Sequence, residues 1–167
     1  MNLIIRKATA KDIPSIVKVR RTAFTKEEVK GFSTTKPSIY YSAEELEEAW
    51  DYDNLLKDGW EVVVAEDDQK IVGFIVFKLG RNCGYLENIN IAKDMQKKGI
   101  GRALVTHVEK VAKSTGIHVM KTDTTENASG TPWKSYTFWK KLGYKDTGER
   151  LVTEYSFKEI PLLKELK

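Results

Sequence analysis

The sequence predicts a fold of the α/β (α+β) class, in which helices flank a single mixed, mostly antiparallel sheet. The first observation behind this prediction is that short β-branched and aromatic runs alternate with longer segments of helical periodicity. The second is a pair of strand-like runs around Asp67-Asp68-Gln69-Lys70, which is the pattern of a β-hairpin. The third is that predicted helices bracket the run of strands, an order that favours a mixed sheet.

Local signals along the chain predict each element. Thr9, with Asp12 three residues later, forms a capping box that begins the first helix. Ser42 and Glu45 begin a second helix in the same way, after a loop rich in Ser, Thr and Pro, and this helix runs to about residue 57. The predicted strands lie at residues 3–7, 61–66, 71–79, 86–92, 117–124 and 151–157, and the later helices at residues 100–114 and 133–142.

Length and composition indicate one globular domain over residues 1–167. The chain is 41% hydrophobic and 31% charged, which is typical of a globular domain and not of a disordered or membrane-spanning chain. No apolar run approaches the roughly 18 residues of a membrane span, and the apolar part of the amino terminus is too short for a signal peptide. The single cysteine, Cys83, fits a reducing compartment. We therefore expect a cytoplasmic protein with no membrane partner.

The charge balance bears on the kind of partner. A net charge of +4 and an isoelectric point near 9.0 are compatible with an anionic cofactor or with nucleic acid. The positive charge is scattered along the sequence, with no long basic run and no recognised nucleic-acid-binding motif. We therefore expect no nucleic-acid partner, and a basic nucleic-acid-binding domain stays open only as an alternative.

The most informative segment is a glycine-containing cationic turn that leads into an apolar helical pattern. Gly99 and Gly101 allow backbone N–H groups to approach a bound group that a Cβ would block. The first turn of the following helix adds unpaired N–H donors and the positive end of its dipole. Lys97, Lys98 and Arg102 add formal positive charge. The turn is therefore predicted to bind a phosphate group.

Two familiar phosphate-binding motifs do not match this turn. A Walker loop requires a Gly-Lys-Ser/Thr ending that the chain lacks. The dinucleotide fingerprint requires a third small residue where this sequence has Leu104. The local order is instead a strand, the glycine turn and an amphipathic helix.

Residues 86–104 resemble the central motif of the GNAT superfamily of acetyl-CoA-dependent N-acetyltransferases. That motif reads Q/R-x-x-G-x-G/A after a strand that ends in a hydrophobic–x–hydrophobic pair. Gln96, Gly99 and Gly101 occupy its defined positions, and Ile89-Asn90-Ile91 forms the end of the strand. A second family signature, an aromatic pair followed by x-x-x-Gly-aromatic, is matched by FWKKLGY at residues 138–144.

The resemblance implies a GNAT-like acyl-CoA N-acyltransferase fold and transfer of acetyl from acetyl-CoA directly to a primary amine. The acceptor would be a small polyamine-like amine, a lysine side chain or a peptide N-terminus. It also implies that the Ile91 N–H holds the thioester carbonyl and that Gln96 shapes the turn. The residues it assigns to cofactor binding are Ile89, Asn90, Ile91, Gln96, Lys97, Lys98, Gly99, Ile100, Gly101, Arg102, Asn127 and Trp139.

Glu87 is the candidate general base. A lysine-like amine has a pKa of about 10.4, so it is protonated near neutral pH and must lose a proton before it can attack. Glu87 lies on the motif strand four residues before Ile91, which predicts that the two side chains share a face. A solvated or ion-paired strand glutamate is the alternative interpretation.

The proton donor to the leaving thiol stays unassigned. The family often has a tyrosine second in the aromatic pair, where this chain has Trp139, and an indole cannot act as an acid near neutral pH. Tyr136, one helical turn earlier, is the candidate, whereas Tyr144 is expected in the core. Asn127 is either a cofactor contact displaced by a short insertion or a turn residue.

The acceptor hypothesis comes from the predicted second helix. Its carboxylates and the surrounding aromatic residues suit a cationic amine, although an acidic solvated helix is an equal alternative. These residues are Glu44, Glu45, Glu47, Glu48, Asp51 and Asp53, with Tyr40, Tyr41, Trp50, Tyr52 and Trp60. A non-catalytic acyl-CoA-binding sensor or scaffold is the second functional hypothesis. The oligomeric state stays open, a homodimer included.

Overall fold

The computed structural model describes residues 2–25, 27–28, 58–153 and 157–167. The helices are α1 Ile13–Thr22, α2 Ile100–Ser114 and α3 Ser135–Lys141. The strands are β1 Leu3–Lys7, β2 Glu61–Asp67, β3 Lys70–Leu79, β4 Gly84–Ile91, β5 Val119–Glu126, β6 Lys145–Asp146, β7 Leu151–Val152 and β8 Lys158–Glu165. The predicted helix at residues 42–57 lies outside the described residues. No helix in the described ranges is both long and apolar enough to cross a membrane.

The strands form one sheet in the order β1-β2-β3-β4-β5-β8-β6, and β7 pairs with β8 beside β6. Every described pair is antiparallel except β4 with β5, which is parallel. The prediction of a mixed, mostly antiparallel sheet flanked by helices is confirmed. The single parallel pair requires a crossover between its strands, and α2 is that crossover.

The amino-terminal elements and the hairpin confirm the sequence predictions. The Thr9 N–H donates to Asp12 Oδ2 at 2.8 Å, as a capping box requires. Hydrogen bonds from Arg6 hold the pKa of the Asp12 carboxyl well below its usual range, although partial burial opposes the effect. In the hairpin, Asp68 and Gln69 both have positive φ, +48° and +64°, which is the two-residue turn that matches strand twist.

The prediction of a last strand at residues 151–157 was wrong. β7 covers Leu151–Val152, residues 154–156 lie outside the described residues, and the long final strand is β8, which contains Pro161. Pro161 accepts a hydrogen bond from the Thr147 N–H at 3.1 Å, on the side of β8 away from β5. The N and O of one residue point to the same side of a strand, so the proline nitrogen, which carries no hydrogen, also faces away from β5. The ladder with β5 therefore remains intact despite the proline.

Two apolar clusters cover the two faces of the sheet. On the face covered by α2 and α3, here called the α2 face, the buried residues include Phe77, Leu104, Val108, Met120 and Trp139. On the opposite face, the α1 face, α1 packs on β3 and β4. Its buried residues are Ala8, Ile16, Val19, Val62, Val64, Phe74 and Val76. The helical spacing predicted for α2 is confirmed by the burial of its apolar stripe.

Candidate active site

The central feature of the site is a gap between two neighbouring strands. β4 and β5 pair only from Gly84 to Leu86, opposite Met120 to Thr122. Beyond that point β4 continues to Ile91 and β5 to Glu126, and the described ladder between them has ended. The Thr122 hydroxyl donates to the Leu86 carbonyl at 2.9 Å where the strands part. We call this wedge-shaped opening the gap and the two strands its walls.

Backbone amides of β4 line the gap. The Ala92 N–H donates to the Val72 carbonyl at 2.9 Å, so it points toward β3. Successive residues of a strand point their N–H groups to alternate sides, so the amides of Ile91 and Ile89 point away from β3 and into the gap. Asn90 points its backbone toward β3 instead, and with 6% exposure it offers little surface to a ligand. Its predicted cofactor contact therefore finds no support in the geometry.

The turn after β4 has the geometry of an anion-binding helix start. Gly99 precedes α2 with φ of +84°, in the left-handed region that glycine adopts without strain. The first i→i−4 bond of the helix runs from the Ala103 N–H to the Gly99 carbonyl, at 3.0 Å. The N–H groups of Ile100, Gly101 and Arg102 consequently have no acceptor within the helix, and they point out at its positive end.

Gln96 ties this turn to the rest of the site. Its Nε2 donates to the Ile91 carbonyl at 3.0 Å and to the Ala23 carbonyl, at the end of α1, at 2.7 Å. These two bonds agree with the prediction that Gln96 shapes the turn. Lys97 and Lys98 are exposed, and Lys97 also has a positive φ of +62°. Both lysines directly precede Gly99, so they carry positive charge into the turn before α2.

The two sequence signatures contact each other at the start of α2. A Cβ built on Gly101 would lie 3.1 Å from Phe138 Cε2 on α3, closer than packed atoms normally approach. Trp139 lies on another side of the same helix and is 3% exposed, with its ring 5.0 Å from that of Phe138 and 5.1 Å from that of Tyr144. This burial gives no support to the predicted contact between Trp139 and the cofactor, which stays a prediction. Consecutive residues of a helix point about 100° apart, so Phe138 packs on Gly101 while Trp139 packs into the buried cluster on the α2 face.

Asn127 is a turn residue. Its Oδ1 accepts hydrogen bonds from the N–H groups of Ser129, at 3.1 Å, and Thr131, at 2.9 Å. The side chain is buried, with 8% exposure. Of the two interpretations of Asn127, the structure supports the turn and not the displaced cofactor contact.

The orientation of Glu87 differs from the prediction. In the β3–β4 ladder Phe77 pairs with Leu86 and Val76 with Asn88, so Glu87 is the extra residue of a β-bulge. A bulge shifts the alternation of side chains by one residue. Ile91 consequently packs against the core on the α2 face, whereas Glu87 lies on the α1 face, where Arg20 is among its charged neighbours. The expectation that Glu87 and Ile91 share a face was wrong.

Glu87 belongs to a cluster of three carboxylates on the α1 face, contributed by three adjacent strands. Asp123 comes from β5 and Glu159 from β8. Restricted hydration and then repulsion from Glu159 raise the pKa of Glu87, and Arg20 opposes this shift. Restricted hydration and then the charges of Glu87 and Glu159 raise the pKa of Asp123 to about 7. Glu87 and Asp123 both keep contact with solvent, so protons and ligands can reach them.

Tyr136 and Tyr144 are held by carboxylates. The Tyr136 hydroxyl donates to Asp146 Oδ2 at 3.0 Å, and this bond raises the pKa of Tyr136. A phenol with a raised pKa releases its proton less readily, so the structure adds no support to Tyr136 as the acid. The Tyr144 hydroxyl donates to Glu109 at 3.0 Å, and the residue is 1% exposed. Its predicted place in the core is confirmed.

A sequence model of the Acetyltransferase (GNAT) family matches residues 23–144, a range that contains both signatures, the gap and the turn. The chain belongs to the GNAT family of acetyltransferases. Among curated relatives, a glucosamine 6-phosphate N-acetyltransferase from Candida albicans is 33% identical over 85 residues, which are 49% of this chain and 52% of that protein. This chain thus spans about half the length of that relative.

Solved structures of GNAT proteins share the whole fold. A PaiA N-acetyltransferase from Thermoplasma acidophilum, solved in complex with coenzyme A, superimposes with a TM-score of 0.69 at 21% identity and covers 99% of each chain. An N-acetyltransferase from Staphylococcus aureus Mu50 gives a TM-score of 0.68 at 21% identity and covers 100% of each chain. At this level of identity the likeness establishes a common fold.

Sequence reasoning missed two of the three clustered carboxylates. Asp123 carries a weak sequence signal, because it lies between Thr122 and Thr124 in a strand. The structure buries these two threonines, so Asp123 occupies the other face of β5. Glu159 carries none, because the strand that contains it was not predicted. Only the pairing of β8 with β5 brings the two residues together.

Proposed function

We propose that this GNAT-family chain is a single N-acetyltransferase domain that moves acetyl from acetyl-CoA directly to a primary amine. The acceptor would be a small polyamine-like amine, a lysine side chain or a peptide N-terminus. The observation that carries the proposal is the continuity of free donors, from the first-turn amides of α2 to the gap-facing amides of Ile91 and Ile89. A ligand with a diphosphate at one end and an extended amide-containing arm at the other complements that arrangement.

The diphosphate would rest on the N–H groups at the start of α2. An anion at a helix N-terminus gains about 0.3–1 kcal/mol in exposed positions, and up to about 2 kcal/mol where it is partly buried. Lys97, Lys98 and Arg102 add screened attraction, because all three are exposed. The extended arm would follow β4 and accept hydrogen bonds from the β4 N–H groups that do not pair with β5.

The reacting carbonyl would accept a hydrogen bond from the Ile91 N–H. Such a donor strengthens its hold as negative charge develops on the oxygen, so it stabilises the transition state more than the ground state. The amine nitrogen forms the new C–N bond, the C–S bond breaks, and the CoA thiolate takes a proton from solvent. A thiol is a good enough leaving group for this step without a dedicated acid.

The carboxylate cluster would receive the proton of the amine. Glu87 is the proposed base, and Asp123 shares the task, because a carboxyl with a pKa of about 7 is half ionised at neutral pH. The charge of Glu87 is one of the causes that raise the pKa of Asp123, so in this proposal the proton is shared by the two carboxylates. The same negative face attracts a cationic amine.

The test is a thiol-release assay with acetyl-CoA and a panel of primary amines, with mass detection of the acetylated amine. We expect release that depends on the amine, and we expect Glu87→Gln to lower kcat and alter its pH dependence. In parallel, calorimetry measures the binding of CoA to two variants. Arg102→Pro removes a first-turn N–H and a charge, whereas Arg102→Ala removes the charge alone. Loss of that N–H should weaken CoA binding about tenfold beyond the alanine variant.

A second candidate is a non-catalytic acyl-CoA-binding sensor or scaffold. It is favoured by the burial of Trp139 and by the bond from Tyr136 to Asp146, which leave the thiol without an evident proton donor among these residues. CoA binding without thiol release from any amine would support this candidate. Absence of CoA binding would contradict both.

A further inference from the structure

Five side chains join the two walls of the gap near its open end. We call them the clasp: Phe24, Glu28, Lys93, Trp133 and Lys134. Lys93 follows β4, while Trp133 and Lys134 lie between β5 and α3. Phe24 and Glu28 lie in the chain that follows α1. The clasp therefore links three parts of the chain that meet only in the folded protein.

Glu28 is the ionic centre of the clasp. Its Oε1 lies 2.7 Å from Lys93 Nζ and 3.0 Å from Lys134 Nζ, so one oxygen holds a lysine from each wall. The Thr25 N–H donates to Glu28 Oε2 at 2.8 Å, and the Glu28 N–H donates to Thr25 Oγ1 at 3.1 Å, which orients the carboxylate. Partial burial opposes ionisation, yet the donors from Lys93, Thr25 and Lys134 lower the pKa of Glu28 to about 2. The carboxylate is therefore charged throughout the neutral range.

An aromatic contact reinforces the ionic one. The rings of Phe24 and Trp133 meet edge to face, with centroids 5.5 Å apart and planes at 62°. Lys134 Nζ lies 5.0 Å from the centre of the Phe24 ring and 5.5 Å from that of Trp133, within cation–π range. The backbone N–H of Trp133 donates to the Thr125 carbonyl of β5 at 2.7 Å. This half of the clasp is consequently fixed to the β5 wall.

The other half is fixed to the β4 wall. Gln96 bonds the carbonyls of both Ala23 and Ile91, so the residue before Phe24 is tied to the end of β4. Between Leu86 and the strand ends, no ladder bonds hold β4 and β5 together in the described structure. The clasp supplies a connection that the sheet itself lacks there.

We propose that the clasp fixes the separation of the gap walls, and that Glu28 is a positioning residue for the acyl carrier, acting through Lys93 and Lys134. The inference rests on the proposed function, because it places acyl-CoA in the gap. A site whose walls are already at the bound separation loses less conformational freedom on binding and holds its ligand longer. Loosening the clasp should therefore shorten the residence of CoA while leaving the fold intact.

The experiment measures the CoA dissociation rate by stopped flow, with the melting temperature of each variant as the measure of folding. The variants are Glu28→Gln, Lys93→Met, Lys134→Met and each lysine variant combined with Glu28→Gln. Glu61→Gln is the matched control, since it breaks a Glu–Lys pair with Lys7, 3.1 Å long, on the β1–β2 side of the sheet. Wild-type protein in about 0.5 M salt provides a test without mutation, because exposed ion pairs are screened there.

We expect Glu28→Gln to raise the dissociation rate roughly three- to tenfold, with Glu61→Gln within about twofold of wild type and little change in melting temperature for either. Lys93→Met should raise the rate alone and add nothing in the Glu28→Gln background, because Lys93 acts through that carboxylate. Lys134→Met should keep in that background only the part of its effect that comes from the Phe24 and Trp133 rings. High salt should accelerate CoA release from wild type more than from Glu28→Gln.

An unchanged rate in Glu28→Gln, or lysine effects that persist undiminished in its background, would overturn the inference. If wild type binds CoA and Glu28→Gln releases it at the same rate, the clasp fails and the proposed function stands. If wild type binds no CoA, the proposed function fails and the clasp has no carrier to position. The two failures are thus distinguishable.

Discussion

Gly101 and Phe138 are packed so closely that a methyl group at residue 101 would fit only if the aromatic ring moved by a few tenths of an ångström. A Cβ on Gly101 would lie 3.1 Å and 3.2 Å from two carbons of that ring. Gly101 belongs to the glycine motif before α2 and Phe138 to the aromatic signature, so the two motifs are in contact. We expect the position of the α2 amides to depend on this contact.

Gly101→Ala should therefore push the start of α2 away from α3. A helical glycine replaced by alanine would otherwise stabilise the helix by about 0.5–1 kcal/mol, but overpacking costs about 1–3 kcal/mol, so we expect a net loss of stability. CoA binding should weaken by about tenfold as the amides shift. Phe138→Leu should relieve the clash, so the double variant should bind CoA better than Gly101→Ala alone. Equal affinities for the single and double variants would contradict this account.

Gly99 and Gly148 form a matched pair for testing the turn. Both have φ of +84°, and a Cβ at either would meet no heavy atom within 4 Å. Alanine at each should cost about 1–2 kcal/mol of stability, because an L-residue is strained in the left-handed region. Calorimetric titration should show weaker CoA binding only in Gly99→Ala. A similar loss of affinity in Gly148→Ala would show that backbone strain and not the turn controls binding.

Asp123→Asn should change both stability and activity with pH. The native carboxyl has a pKa of about 7, against about 3.9 for an unfolded aspartate, so between these values the native state holds a proton that the unfolded chain releases. The contribution of Asp123 to stability therefore falls as pH rises toward 7. Asp123→Asn should raise the melting temperature above that of wild type more at pH 8.5 than at pH 5. Asp68→Asn in the hairpin turn is the control for the loss of charge.

The activity of the same variant separates the roles of the carboxylates. If Asp123 and Glu87 share the proton taken from the amine, the increase of kcat/KM with pH near 7 should be smaller in Asp123→Asn than in wild type. Effects of Asp123→Asn and Glu87→Gln should be less than additive, because the pair acts as a unit. Independent effects, with the wild-type pH profile preserved in Asp123→Asn, would remove Asp123 from the mechanism.

Trp139→Tyr should not create the missing acid. Trp139 is buried between the rings of Phe138 and Tyr144, so a tyrosine at this position would have its hydroxyl in the core. We expect kcat within about twofold of wild type, an unchanged alkaline limb of the pH profile, and a stability loss of about 1–3 kcal/mol from the smaller ring. A marked rise in kcat would indicate that residue 139 reaches the leaving thiol.

The predictable part of this protein is the part that local chemistry specifies. The helix start at Gly99, the capping box of Thr9 and Asp12 and the hairpin turn depend on residues near each other in sequence, and all three were found where they were predicted. The incorrect predictions depend on distant partners. The long final strand, β8, was not predicted and is held in the sheet by its pairing with β5, and the bulge at Glu87 exists only in the pairing with β3.

The sequence by itself determined the family resemblance, the order of most elements and the glycine turn before α2, because glycine positions and short-range periodicity act within a few residues. Only the tertiary structure decided which side chains face one another. It turned Glu87 to the α1 face, joined it to Asp123 and Glu159, buried Trp139 and placed Glu28 between two lysines. The physical reason is that strand register and helix packing set these distances, and both depend on contacts between residues far apart in the chain.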